Sequence, residues 1–121
     1  MWLCEGDAFR TAAFHGSLPS AYVEQWRVGH SFRLGPDIPA VRATKSRQPF
    51  QLEDIKATKA YRSGDPLFVT GVDIAGIRTV LAVPMLKDNE PVGAIVIYRQ
   101  EVRSFTDKQI ELVQNFAAQA V

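Results

Sequence analysis

The sequence contains a single cysteine, Cys4, so it can form no internal disulfide and no metal site built from several thiolates. Standing in an apolar stretch with nothing cationic beside it to stabilise a thiolate, Cys4 reads as a small buried side chain. The chain also lacks a surplus of charge. Lys and Arg number 14 against 13 Asp and Glu, with no block of one sign, which leaves nucleic acid and an anionic membrane without an electrostatic footprint. No apolar run approaches the ~20 residues of a bilayer span, and the opening MWLCEGDAFR carries no basic leader or secretory core. A cytoplasmic module making no membrane contact of its own is expected. The two histidines, His15 and His30, each border a glycine, away from any thiol or carboxylate pair at metal spacing, so both read as turn or surface residues. No nucleophile elbow, zinc-protease helix, phosphate loop, internal repeat or low-complexity segment occurs. Catalysis has no motif behind it, and no cofactor is named.

What the chain does hold is enough apolar material for one core: 121 residues, 46% of them hydrophobic, make one α+β domain with no room for a second. Its organising stretch runs from Gly76 to the end. Two apolar runs, Val80–Leu86 and Val92–Tyr98, are joined by the turn-forming Lys87–Pro91, which predicts an antiparallel hairpin. Neither run alternates apolar with polar, so both faces of the hairpin should be covered. One cover is legible: Ile110, Val113, Ala117 and Ala120 recur at spacings of three and four, flanked by Leu112 and Phe116, as on an amphipathic helix. Thr106 followed by Gln109 has the form of a capping box, and Asp107 sits where the helix dipole favours negative charge. The pattern still runs at Val121 without a stop residue, which predicts a helix cut from a longer one.

Upstream, Trp2–Cys4 reads as a strand, Gly6-Asp7 as a turn and Ala8–Phe14 as a second strand at an edge. A helix should begin at Ser17 or Ser20, gather Leu18, Tyr22, Val23 and Trp26 on one side, and stop at Gly29. Residues 31–47 read as irregular, with a short helix over Ile38–Ser46 capped by Asp37. Gln48–Leu52 reads as a brief strand and Glu53–Gly64 as a loop without period. A helix then opens at Asp65-Pro66 and ends at Gly76; its Val69, Thr70, Gly71 and Val72 are poor helix formers, so tertiary contacts must hold it. Such a weak helix beside a long loop has the makings of a lid.

These residues together resemble the GAF domain, a small-molecule-sensing module of bacterial signalling proteins and a relative of the PAS fold. The resemblance covers nearly the whole chain and is carried by Trp2-Leu3, Phe14-His15-Gly16, Gln48-Pro49-Phe50, Asp65-Pro66 and Gly76-Ile77-Arg78-Thr79. Most specific are the strand LAVPM, the strand VGAIVIY and the helix FTDKQIELVQNFAAQA, which are similar to modules placed ahead of histidine kinases or nucleotide cyclases. The resemblance implies an antiparallel sheet of about six strands, with the terminal helix on one face and short helices and loops on the other. It also implies a ligand pocket on that second face, a homodimer through terminal helices, and a covalently linked output domain in a two-component or related system. The family's usual first helix is absent, so the chain reads as one domain truncated at both ends. The Asn-Lys-Phe-Asp-Glu signature of cyclic-nucleotide binders is missing, Cys4 is misplaced for bilin attachment, and methionine-sulfoxide-reducing members use more than one cysteine. A regulatory, non-catalytic module is the expectation, with an unidentified small molecule as its ligand; a ligand-free dimerisation module is the alternative.

The candidate pocket residues are Trp26, Phe50, Asp54, Tyr61, Phe68, Val72, Arg78 and Val80. The aromatic and aliphatic members read as core residues first and as pocket lining second. Arg78 stands at the mouth of the most apolar strand, where a guanidinium must reach solvent, pair with Asp54, Asp65 or Asp73, or face a bound anion. Structural pairing is the first reading, with Asp54 the partner of most interest.

Overall fold

The computed structural model describes residues 2–5, 8–11, 31–32 and 38–120, with side chains described at Leu3 and from residue 38 onward. The strands are β1 (Trp2–Glu5), β2 (Ala8–Thr11), β3 (Ser31–Phe32), β4 (Phe50–Leu52), β5 (Thr79–Lys87) and β6 (Glu90–Arg99). The helices are α1 (Pro39–Ser46), α2 (Lys59–Arg62), α3 (Pro66–Asp73) and α4 (Asp107–Gln119), with a 3-10 turn at Ile55–Ala57. The described strands lie in the order β3-β2-β1-β6-β5-β4, every neighbouring pair antiparallel. The α+β class and the antiparallel sheet are thus as expected. The expected helix over residues 17–29, including Trp26 and Tyr22, lies outside the described residues.

Strand β5 is the middle of the packing. Leu81, Val83 and Met85 point to one face and belong to a cluster with Ala117 of α4, against which Leu3, Ile95, Ile97, Phe105, Ile110 and Val113 pack. Val80 points to the other face, into a cluster with Ile38, Ala40 and Val41 of the α1 region, Ile55, Phe68, Ala75 and Ile77. Alternate residues of a strand point to opposite sides, so a run that is apolar at every position needs two covers. It has them: Leu81 and Ala82 are 0% exposed. Helix α1 reaches β5 and β6 closely because its inward positions are small, with Ala40 and Ala43 fully buried.

Several local expectations require correction. The hairpin turn is not five residues long. Pairing continues to Lys87↔Glu90, leaving Asp88 and Asn89 as a two-residue turn with φ of 52° and 65°, the left-handed pair whose twist matches that of the strands. Arg47 clamps this turn, donating from Nε to the Asn89 carbonyl at 2.9 Å. Ser31–Phe32, expected to be irregular, pairs with β2. The N-cap of α1 is Ile38, with no side-chain cap bond, in place of Asp37, which lies outside the described residues. Its first turn is instead eased by Pro39, whose missing N–H is one that needs no partner. The segment 53–64 is not a plain loop: Asp54 caps the 3-10 turn and Thr58 caps α2, local hydrogen bonds that hydrophobic periodicity does not register. Helix α3 stops at Asp73, short of Gly76, whose φ of 70° then turns the chain toward β5.

Helix α4 begins as its sequence specifies. Thr106 Oγ1 accepts from the Gln109 N–H at 3.2 Å, and Gln109 Oε1 accepts from the Thr106 N–H at 2.8 Å. Leu112 and Phe116 turn away from the sheet, 70% and 63% exposed. None of the described helices is long and apolar enough to cross a membrane. Thr106→Ala should cost about 1 kcal/mol through loss of the bond that Thr106 Oγ1 accepts from the Gln109 N–H. Leu81→Ala, removing a side chain at the centre of the packing, should cost about 2–5 kcal/mol. Urea denaturation followed by circular dichroism measures both.

Candidate functional site

The sheet face bearing Val80 is the one on which the expected site residues gather. Phe68 of α3 (5% exposed) and Val80 (7% exposed) lie in one buried cluster, with the half-buried Tyr61, Val72, Val96 and Tyr98 packed against it. Phe50 is half-buried on the same face, since β4 pairs Phe50 with Ala82 and Leu52 with Val80. The guanidinium of Arg42 lies 4.6 Å from its ring centroid, a geometry in which the cation meets the negative face of the ring. Trp26 lies outside the described residues. Four of the eight expected residues therefore share one cluster, with Phe50 beside it on β4.

A polar cluster borders this apolar patch. Arg78 donates from Nε and Nη2 to the two carboxylate oxygens of Asp54, each at 2.9 Å, a fork-on-carboxylate geometry that fixes direction as well as distance. Of the three carboxylates considered for Arg78, the other two are engaged locally. Asp65 accepts from the Leu67 N–H at 3.0 Å and starts α3, while Asp73 accepts from the Tyr61 hydroxyl at 2.8 Å and joins α2 to α3. The Arg78 guanidinium holds the Asp54 carboxyl below the usual carboxylate range, with smaller help from the Lys56 N–H and charge. The hydrogen bond to Asp73 raises the Tyr61 phenol above its ordinary value. With side chains 33% and 25% exposed, Arg78 and Asp54 each keep part of their surface in water.

Sequence reasoning missed Thr79. It is 0% exposed, and its hydroxyl lies 2.5 Å from the Glu53 carbonyl, 3.0 Å from the Glu101 carbonyl and 3.0 Å from the Arg103 N–H. The available signal was a hydroxyl at the head of an unbroken apolar strand, a position where a polar atom must find buried partners. Also missed was Gln51, whose side-chain oxygen accepts from the Phe105 N–H at 2.6 Å and ties β4 to the approach of α4.

The Asp54–Arg78 pair has a signed pH consequence. A carboxylate whose folded-state pKa is depressed contributes stability that is present above its unfolded value, about 3.9, and lost as pH falls through the lower folded value. Between about pH 5 and pH 2 the urea midpoint of the native sequence should therefore fall more steeply than that of Asp54→Asn. Equal slopes would mean that the pair is not made in solution.

The whole arrangement has relatives. The family model described as GAF domain matches residues 3–121. The GAF domain/HD domain protein of Geobacter sulfurreducens is similar in structure at 22% identity and a TM-score of 0.76, covering 98% of this chain and 73% of that one. A domain of a two-component sensor histidine kinase protein from Sinorhizobium meliloti 1021 is similar at 21% identity and a TM-score of 0.69, covering 98% and 72%. The type II free methionine-R-sulfoxide reductase of Thermoplasma acidophilum is similar at 16% identity and a TM-score of 0.68, covering 98% and 70%. No curated protein matches the sequence. At these identities the likeness is one of fold, but the family model spans almost the entire chain, and the chain belongs to the GAF domain family.

Proposed function

We propose that this domain is a regulatory, non-catalytic sensor. On this reading it binds a small molecule between the sheet and the segment of residues 53–73 and passes the signal along α4 to an output domain of a cytoplasmic signalling protein. The observation that carries the reading is how that segment is held. It consists of a 3-10 turn and two helices of four and eight residues, too short to be stable alone. Apolar contacts of Phe68, Tyr61 and Val72 fasten it to the sheet, and the Asp54–Arg78 pair fastens its base. Elements of this kind open at low free-energy cost, and a ligand that binds one state better shifts their population. Arg78 is the natural contact for an anionic group of the ligand, and Phe50, Tyr61, Phe68, Val72 and Val80 for its apolar body. A homodimer through terminal helices, on a full sheet of about six strands, completes the proposal. The exposure of Leu112 and Phe116, four residues apart on α4, supports it. The single cysteine speaks against the thiol chemistry of the methionine sulfoxide reductases.

The alternative reading, a ligand-free dimerisation module, is favoured by one observation: Phe68 and Val80 are already buried together with Tyr61 and Val96 against them. Native mass spectrometry and a thermal-shift panel of amino acids, small carboxylates and nucleotides separate the two. A ligand at a hundred times its Kd stabilises the fold by about 2.7 kcal/mol, several degrees in Tm, and Arg78→Ala should abolish that shift for an anionic ligand. A dimer that retains no small molecule and responds to none would support the alternative.

A further inference from the structure

We propose that the dipeptide Arg78-Thr79 is a two-sided clasp through which the segment of residues 53–73 and the start of α4 sense one another. The inference deepens the sensor reading and rests on it for biological use, though not for its test. Arg78 holds the near side. Its guanidinium takes both oxygens of Asp54, its carbonyl accepts from the Ile55 N–H at 2.7 Å, and its own N–H donates to the Arg99 carbonyl at 2.9 Å. Thr79 holds the far side, since consecutive residues of a strand point to opposite faces.

The Thr79 hydroxyl gives the clasp two discrete arrangements. It has one proton and can donate to only one carbonyl at a time, yet both the Glu53 and Glu101 carbonyls lie within bonding distance. It also accepts from the Arg103 N–H. When release of Asp54 from Arg78 draws the adjoining Glu53 away, the proton is left to Glu101 alone and the lone pair that faces Arg103 turns. From Arg103 the chain runs two residues to Phe105, held by Gln51, and one more to Thr106, where the capping box begins. Because Thr79 is fully buried, water does not stand in for a lost partner.

Hydrogen–deuterium exchange on the purified chain without added ligand tests this. Asp54→Asn keeps an oxygen for the Lys56 N–H cap and removes only the charge toward Arg78. It should accelerate exchange at Ile55 and Tyr61 and also, by about threefold or more, at Arg103 and Phe105. In a Thr79→Val background the added effect at Arg103 and Phe105 should vanish while that at Ile55 and Tyr61 persists; in Thr79→Ser, which keeps the hydroxyl, both should persist. An Asp54→Asn effect confined to residues 53–73 overturns the clasp, as does a remote effect that survives Thr79→Val. If Thr79→Val does not fold, the comparison of Asp54→Asn with the native sequence decides alone. Failure here leaves small-molecule binding standing, and failure to find a ligand leaves the clasp standing.

Discussion

The described structure depends on one constraint: strand β5 is apolar at nearly every position and must be dry on both faces. A sheet with one dry face can let every second residue meet water. This one cannot, so helix α4 covers the face of Leu81, Val83 and Met85, while α1 and the segment of residues 53–73 cover the face of Val80. The two covers differ in kind. One is a thirteen-residue amphipathic helix with a complete capping box; the other is assembled from short pieces whose stability comes from tertiary contact rather than from helix propensity.

A strand buried on both sides creates a problem where it begins, because polar chain enters there. Arg78 and Thr79 solve it in different ways. Arg78 keeps a third of its side chain in water and pairs with Asp54. At that exposure the pair contributes little net stability, and its value is geometric: a bidentate fork tolerates few orientations. Thr79 is fully buried, so its hydroxyl contributes chiefly by preventing the loss that unsatisfied carbonyl and amide groups would incur, about 1–3 kcal/mol. The strong cover and the weak cover therefore meet at adjacent residues, the weak one held by an ion pair and the strong one approached through a buried hydroxyl.

That meeting point links the short pieces over Val80 to the approach of α4 through two adjacent residues. The fold alone names no ligand. Polar side chains at the border of the apolar patch include the Asp54–Arg78 pair and the Tyr61 hydroxyl bonded to Asp73.

The sequence by itself determined what periodicity and local chemistry can encode. The β5–β6 hairpin with two covered faces, the α4 stripe, the Thr106–Gln109 cap and the start of α3 at Asp65-Pro66 were all legible, because each depends on residues within one or two turns or strands. Phe68, Val80, Tyr61 and Val72 were legible as core or pocket-lining candidates, and the charge of Arg78 pointed to solvent, a bound anion or a carboxylate such as Asp54, Asp65 or Asp73. Only the tertiary structure decided among those three, since Asp65 and Asp73 both lie nearer to Arg78 in sequence than Asp54 does, yet were taken by a cap and a tyrosine. It likewise decided the two-residue turn, the helical turns within residues 53–64 and the burial of Thr79. Each of these is set by contacts between segments more than twenty residues apart or by side-chain caps too short to leave a period. Local pattern specifies which faces must be dry; only packing specifies which polar groups are left at the seams to find one another.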